Sequence, residues 1–143
     1  MKRGSLLVVD DNSGIRKLLE ELFSAEGYTV LTAASGLEAI TSAKKQLPNL
    51  VLADIKMSGI NGLELRDKLL GLEQNIRIVL MSAYADHHEI KEKLRQRGIN
   101  YLITKPFDLE RLRMVVADLL NEKSTIGKIA KYTIPRDCCC AYL

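Results

Sequence analysis

Leu50-Val51-Leu52-Ala53-Asp54 is an almost wholly apolar run that ends on a carboxylate and passes at once into Ile55-Lys56-Met57-Ser58-Gly59-Ile60-Asn61-Gly62. A short continuous apolar run bounded by turn residues reads as a strand buried on both faces. A charge inside that strand would be desolvated at high cost, so Asp54 belongs at its open C-terminal end. In open α/β sheets that edge is where ligands bind. The question for the rest of the chain is what else arrives there.

Upstream, Ser5-Leu6-Leu7-Val8-Val9 is a second buried-strand run, and it ends on Asp10-Asp11. A helix follows from Ser13 or Gly14 to about Glu26, with Ile15, Leu18, Leu19, Leu22 and Phe23 at helical spacing and Gly27 as its stop. Tyr28 to Ala33 is short and β-branched, hence a strand. Ser35-Gly36-Leu37-Glu38 is a capping-box pattern that opens a helix with Leu37, Ile40 and Ala43 inward, closed before Pro48.

Downstream of Asp54, Gly59 and Asn61-Gly62 make a turn, and Leu63 to Leu70 forms a helix ending at Gly71. Arg77 to Ser82 is a fourth strand, and Asp86 to Arg97 a polar helix. Tyr101 to Thr104 is a fifth strand, terminated by Lys105-Pro106-Phe107. Asp108 N-caps a last helix that carries Leu109, Leu112, Val115, Val116, Leu119 and Leu120 along one side. Strands alternating with amphipathic helices in five β-α units imply an α/β domain with a parallel sheet covered on both faces.

Composition narrows the classes. At 143 residues, 47% hydrophobic and 27% charged, the chain suits one ordinary globular domain rather than a disordered or fibrous one. A net charge of +3 with no basic run gives no ground for direct nucleic-acid binding. The apolar stretches are too short for a membrane span, and Leu6 to Val9 is too short for a signal peptide core, which together suggest the cytoplasm. Cys138, Cys139 and Cys140 are adjacent, so they cannot close a framework of large disulfide loops. From Asn121 to Leu143 the βα rhythm is gone, and this tail reads as a helix extension, a loose end or an arm for a partner.

Four strand ends now coincide along one edge: Asp10 and Asp11 from the first strand, Asp54 from the third, Ser82 from the fourth and Lys105 from the fifth. Two unit charges about 4 Å apart repel by roughly 4 kcal/mol at an effective dielectric near 20. Either one carboxyl protonates, or a hard cation binds among the oxygens, with Mg²⁺ favoured and Mn²⁺ able to replace it. A carboxylate beside such a cation, with a lysine and a hydroxyl aimed at the same point, is arranged to attack phosphorus. Asp54 is then the nucleophile, Lys105 and Ser82 contact the transferring oxygens, and Asp11 ligates the metal directly with Asp10 acting through water. The plainer alternative for Asp10-Asp11 is that they cap the first helix.

Val9-Asp10-Asp11, Asp54 with Gly59 and Asn61-Gly62, Ser82-Ala83-Tyr84 and Lys105-Pro106-Phe107 together resemble the receiver domain of bacterial two-component response regulators. The resemblance runs from about Ser5 to Leu120. It implies a flavodoxin-like (βα)5 doubly wound sheet of strand order 2-1-3-4-5, with a receiver over 1–120 and no separate effector domain in the 121–143 tail. It further implies Mg²⁺-dependent transfer from a phosphohistidine to Asp54, slow self-catalysed hydrolysis, a metal contact from the Lys56 carbonyl and a cis Lys105-Pro106 peptide. Such a chain is a signalling phosphoacceptor rather than an enzyme acting on other substrates.

Within the family, the stretch Val9 to Arg16 looks most like the stand-alone receivers of sporulation phosphorelays. That likeness implies a docking surface of Gly14, Ile15, Leu18, Pro106 and Phe107 for a histidine kinase or histidine phosphotransferase, with Tyr84 in a loop that responds to phosphorylation. A downstream protein partner, and a monomer or weak dimer, are also expected. Periodicity alone equally allows Ile15 and Leu18 to face the core. Two departures from the family pattern stand out: Ser58 where many receivers have proline, and Leu102 where the fifth strand usually carries an aromatic residue. A receiver-like adaptor that binds without phosphotransfer is the main rival. A flavodoxin-like electron carrier conflicts with Asp10-Asp11, which would repel a bound phosphate, and an aspartate-based phosphatase needs both its acids after the first strand.

Overall fold

The computed structural model describes residues 4–57, 59–82, 92, 94–96, 101–104, 108–120 and 140–142. It divides into two compact units, Met1–Val79 and Leu80–Leu143. The first holds β1 (Ser5–Val9), α1 (Ser13–Ala25), β2 (Thr29–Ala33), α2 (Gly36–Lys45), β3 (Leu50–Asp54) and α3 (Gly62–Leu72), and β4 (Arg77–Ser82) begins in it. The second holds the end of β4, β5 (Tyr101–Thr104), α4 (Leu109–Leu120) and β6 (Cys140–Tyr142).

β1 pairs in parallel with both β2 and β3, in the registers Val9↔Ala33 and Val9↔Ala53. β4 pairs in parallel with β5, where Ser82 lies opposite Thr104. The sheet order is β2-β1-β3-β4-β5-β6, so the five parallel strands follow the expected 2-1-3-4-5. β6 adds a strand antiparallel to β5, with Leu102 opposite Ala141, that the sequence does not announce.

The core follows the apolar runs. Leu6 to Val9 and Leu50 to Leu52 are fully buried, as strands covered on both faces must be. β2, at the sheet edge, is only half-buried over most of its length. Phe23 near the end of α1 meets Tyr28 edge-to-face, ring centroids 5.8 Å apart, and so ties the helix to the start of β2. In α4 the buried set is Leu112, Val115, Val116 and Leu119. Among the described residues no helix is long and apolar enough to cross a membrane.

Two sequence expectations need correction. Leu37 does not point inward: it is 67% exposed, because α2 buries Gly36, Ala39 and Ala43, a stripe that leaves Leu37 about a quarter-turn away. Leu18, which periodicity alone allowed either to face the core or to stay open to a partner, is 43% exposed, since α1 turns Leu19 and Phe23 to the core. α3 does not end at Gly71 but runs to Leu72, where the Glu73 N–H still donates to the Leu69 carbonyl. Burial of Leu65 and Leu69 outweighs a glycine penalty of about 1 kcal/mol. Of the expected polar helix from Asp86 to Arg97, residues 92 and 94–96 are helical and the others lie outside the described residues.

Candidate functional site

Register brings the acids together. Val9 is paired with Ala53, so the next residues along each strand, Asp10 and Asp54, leave adjacent strands at the same level. Parallel neighbours are about 4.8 Å apart, which sets the spacing of the two side chains. Asp11 follows in the turn, and carboxylate oxygens of Asp10, Asp11 and Asp54 all lie within 4.8 Å of one another. Asp10 is fully buried and Asp54 only 8% exposed, whereas Asp11 faces solvent.

The β1–α1 turn is held at several points. The Asp10 N–H donates to the Ala33 carbonyl at 3.2 Å, and the Asp10 side chain accepts from the Asn12 N–H at 2.9 Å. Arg16 Nη1 donates to the Asp10 carbonyl at 2.6 Å. The cap of α1 is Asn12, whose side-chain oxygen accepts from the N–H groups of Gly14 and Ile15 at 2.9 and 3.2 Å. Capping therefore falls to Asn12, and the two aspartates are not needed for it.

The turn after Asp54 is equally constrained. The Lys56 N–H donates to Asp54 Oδ1 at 3.2 Å, and the Gly62 N–H to the Ile55 carbonyl at 2.9 Å. Gly59 has φ +79°, the left-handed region that glycine adopts without steric cost. Gly62 is required for a different reason. A Cβ there would sit 2.6 Å from the Asp54 carbonyl oxygen and 2.8 Å from Ile55 Cα, so only glycine lets α3 start this close to the strand. Asn61 caps α3 by accepting from the Glu64 N–H at 2.9 Å. Gly36, at the start of α2, comes so near Ile60 that an added Cβ would lie 2.9 Å from the Ile60 Cβ, which braces the loop from outside.

Three carboxylates this close, two of them removed from water, present only hard oxygen donors. That donor set fits a small divalent cation such as Mg²⁺ or Mn²⁺ better than a thiophilic metal. Of the residues expected at the site, Asp10, Asp11 and Asp54 converge, and the Lys56 peptide adjoins the Asp54 carboxylate. Ser82 closes β4 and is 2% exposed. Gly14, Ile15 and Leu18 lie on the early part of α1, with Gly14 and Leu18 exposed and Ile15 half-buried. Tyr84, Lys105, Pro106 and Phe107, with the peptide between Lys105 and Pro106, lie outside the described residues.

Arg16, Gly36 and Ile60 were not singled out by sequence. A signal existed only for Arg16, a cation within two helical turns of adjacent acids. The approach of Gly36 to Ile60 links residues far apart in the chain and has no local signature.

Comparison with known proteins agrees with this geometry. The family model described as "Response regulator receiver domain" matches residues 6–117. Sporulation initiation phosphotransferase F of Bacillus subtilis is 39% identical over 87% of this chain and 99% of its own length. The transcriptional regulatory protein GlrR of Escherichia coli is 30% identical over 86% of this chain, which spans only 28% of that longer protein. Among solved structures, the response regulator TrrA of Thermotoga maritima, in complex with Mg²⁺ and BeF, has a TM-score of 0.72 and 34% identity, covering 84% of this chain and 100% of that one.

Proposed function

The chain belongs to the response regulator receiver domain family, and from that membership we propose that Asp54 takes a phosphoryl group from a phosphohistidine and that the product signals by protein contact. An Asp54 carboxylate oxygen attacks phosphorus as the P–N bond to the imidazole breaks. The departing nitrogen keeps the electron pair and is protonated from solvent, and an acyl phosphate remains on Asp54.

Asp10, Asp11 and Asp54, with the Lys56 carbonyl, would hold Mg²⁺ or Mn²⁺. When bound, the cation supplies positive charge against the three carboxylates and the transferring oxygens. Lys105 adds a second positive charge to those oxygens, and the Ser82 hydroxyl donates a hydrogen bond to one of them. The N–H of Lys56 orients the Asp54 carboxylate for attack. The acyl phosphate is then lost slowly to water, and no other substrate is turned over.

The partner surface is assigned to Gly14, Ile15 and Leu18 on α1 together with Tyr84, Pro106 and Phe107, facing a histidine kinase or histidine phosphotransferase. An exposed leucine beside a charged site suits an amphipathic helical partner. The working unit is a monomer or weak dimer in the cytoplasm, with the receiver over 1–120 and the segment 121–143 as a tail rather than an effector domain.

The observation that supports this reading most is the cluster of Asp10, Asp11 and Asp54 at paired strand ends. Incubation with Mg²⁺ and acetyl phosphate should add one phosphoryl group by intact mass, lost in Asp54→Asn and in excess EDTA. A chain that stays unmodified under these conditions, and with a phosphorylated histidine protein, is an adaptor without phosphotransfer.

A further inference from the structure

We propose that Arg16 is a positioning residue for the acidic cluster: its guanidinium grips the backbone between Asp10 and Asp11 and so fixes the direction in which both carboxylates leave the chain. The inference rests on the divalent-cation site proposed above and adds a residue to it that touches none of the reacting atoms.

The Asp10 carbonyl belongs to the peptide that joins Asp10 to Asp11. β1 ends at Val9 and α1 begins at Ser13, with the Asn12 carbonyl accepting the first helical hydrogen bond from the Arg16 N–H at 3.1 Å. The Asp10 carbonyl therefore lies outside both the strand and the helix ladder. Its partner is instead Arg16 Nη1, at 2.6 Å, a charge-assisted bond in a part-buried setting. Arg16 sits in the first turns of α1, anchored by the Asn12 cap, so the clamp is as rigid as the helix start.

Two further hydrogen bonds of Asp10 act elsewhere. Its N–H is bonded to Ala33, and its side chain accepts from the Asn12 N–H. Neither of these two engages the carbonyl of the peptide that leads into the exposed Asp11, which Arg16 holds. Groups that orient ligands in this way typically contribute about 10- to 100-fold to metal affinity.

The test compares wild type, Arg16→Met and a distant control, Arg66→Met, for Mn²⁺ binding by electron paramagnetic resonance, with thermal melting in EDTA alongside. Arg16→Met should bind Mn²⁺ about 10-fold or more weakly, and Arg66→Met as wild type. At Mg²⁺ raised far above the new dissociation constant, the Arg16→Met rate with acetyl phosphate should return towards wild type, which a merely structural defect would not do. If Arg16→Met does not fold, Arg16→Gln is read by the same criteria. Mn²⁺ affinity within twofold of wild type in the folded variant overturns the role of Arg16, whatever its melting temperature. A wild-type chain that takes up no Mn²⁺ overturns the cation site itself and this inference with it.

Discussion

Gly62→Ala should be among the most disruptive single-methyl additions to this domain. The new Cβ would lie 2.6 Å from the Asp54 carbonyl oxygen, 2.8 Å from Ile55 Cα and 3.1 Å from the Asp54 carbonyl carbon. Ordinary contact begins near 3.4 Å, so backbone must move by about 0.8 Å, and no flexible side chain is available to yield instead. Overpacking of this kind costs about 1–3 kcal/mol. The gain in helix propensity from Gly to Ala, at most about 1 kcal/mol, offsets part of it. A net loss of about 1–2 kcal/mol, against an unfolding entropy of roughly 2.1 cal/mol/K per residue over about 120 folded residues, lowers the melting temperature by about 4–8 °C. Gly71→Ala is the matched control. It lies in the same helix with nothing within 4 Å of its added Cβ, so it should gain up to about 1 kcal/mol and melt about 2–4 °C higher. Calorimetry in EDTA reads both. The contact moves the carbonyl of Asp54 itself, so Gly62→Ala should also be phosphorylated more slowly by acetyl phosphate. If Gly62→Ala melts at or above wild type, the close approach of α3 to β3 is not what holds the Asp54 loop.

Three further outcomes are expected. Mg²⁺ at about 100 times its dissociation constant should stabilise the chain by about 2.7 kcal/mol. Asp11→Asn should lose most of that rise yet melt above wild type in EDTA, because one of three crowded charges is gone; an undiminished Mg²⁺ response would place the cation elsewhere. Asn12→Ala removes the acceptor for two N–H groups at the start of α1 and should cost about 1 kcal/mol in urea unfolding, while Asn12→Asp retains the cap; equal loss in both would refute that assignment. Leu18→Asp, at a 43% exposed position, should change stability by no more than about 0.5 kcal/mol and leave acetyl phosphate modification intact. Transfer from a phosphorylated histidine protein should slow, and an unchanged rate there would remove Leu18 from the docking surface.

The parts of this molecule legible in sequence are those where the physics is local. β1, β3, β4 and β5 have the expected bounds because each is an apolar run closed by charged or turn residues, a pattern that runs along the chain. The outward turn of Leu37 is not legible because a ten-residue helix gives too few apolar positions to fix the phase of its buried stripe, and alanines and a glycine occupy that stripe. Gly71 does not end α3 because a glycine stops a helix only where packing does not carry it on, and Leu69 is fully buried two residues earlier. β6 had no signal because its pairing with β5 joins segments some forty residues apart. At the site the same division holds. That Asp10, Asp11 and Asp54 end strands is readable one strand at a time, but that they share a level depends on Val9 standing opposite Ala53. What keeps them there is backbone contact: Arg16 on the Asp10 carbonyl, Gly62 against the Asp54 carbonyl, and Gly36 against Ile60. A carboxylate ligand must be Asp or Glu, so sequence narrows it to a few candidates. A peptide group can be held by many kinds of neighbour, so the supports become visible only when the chain is folded.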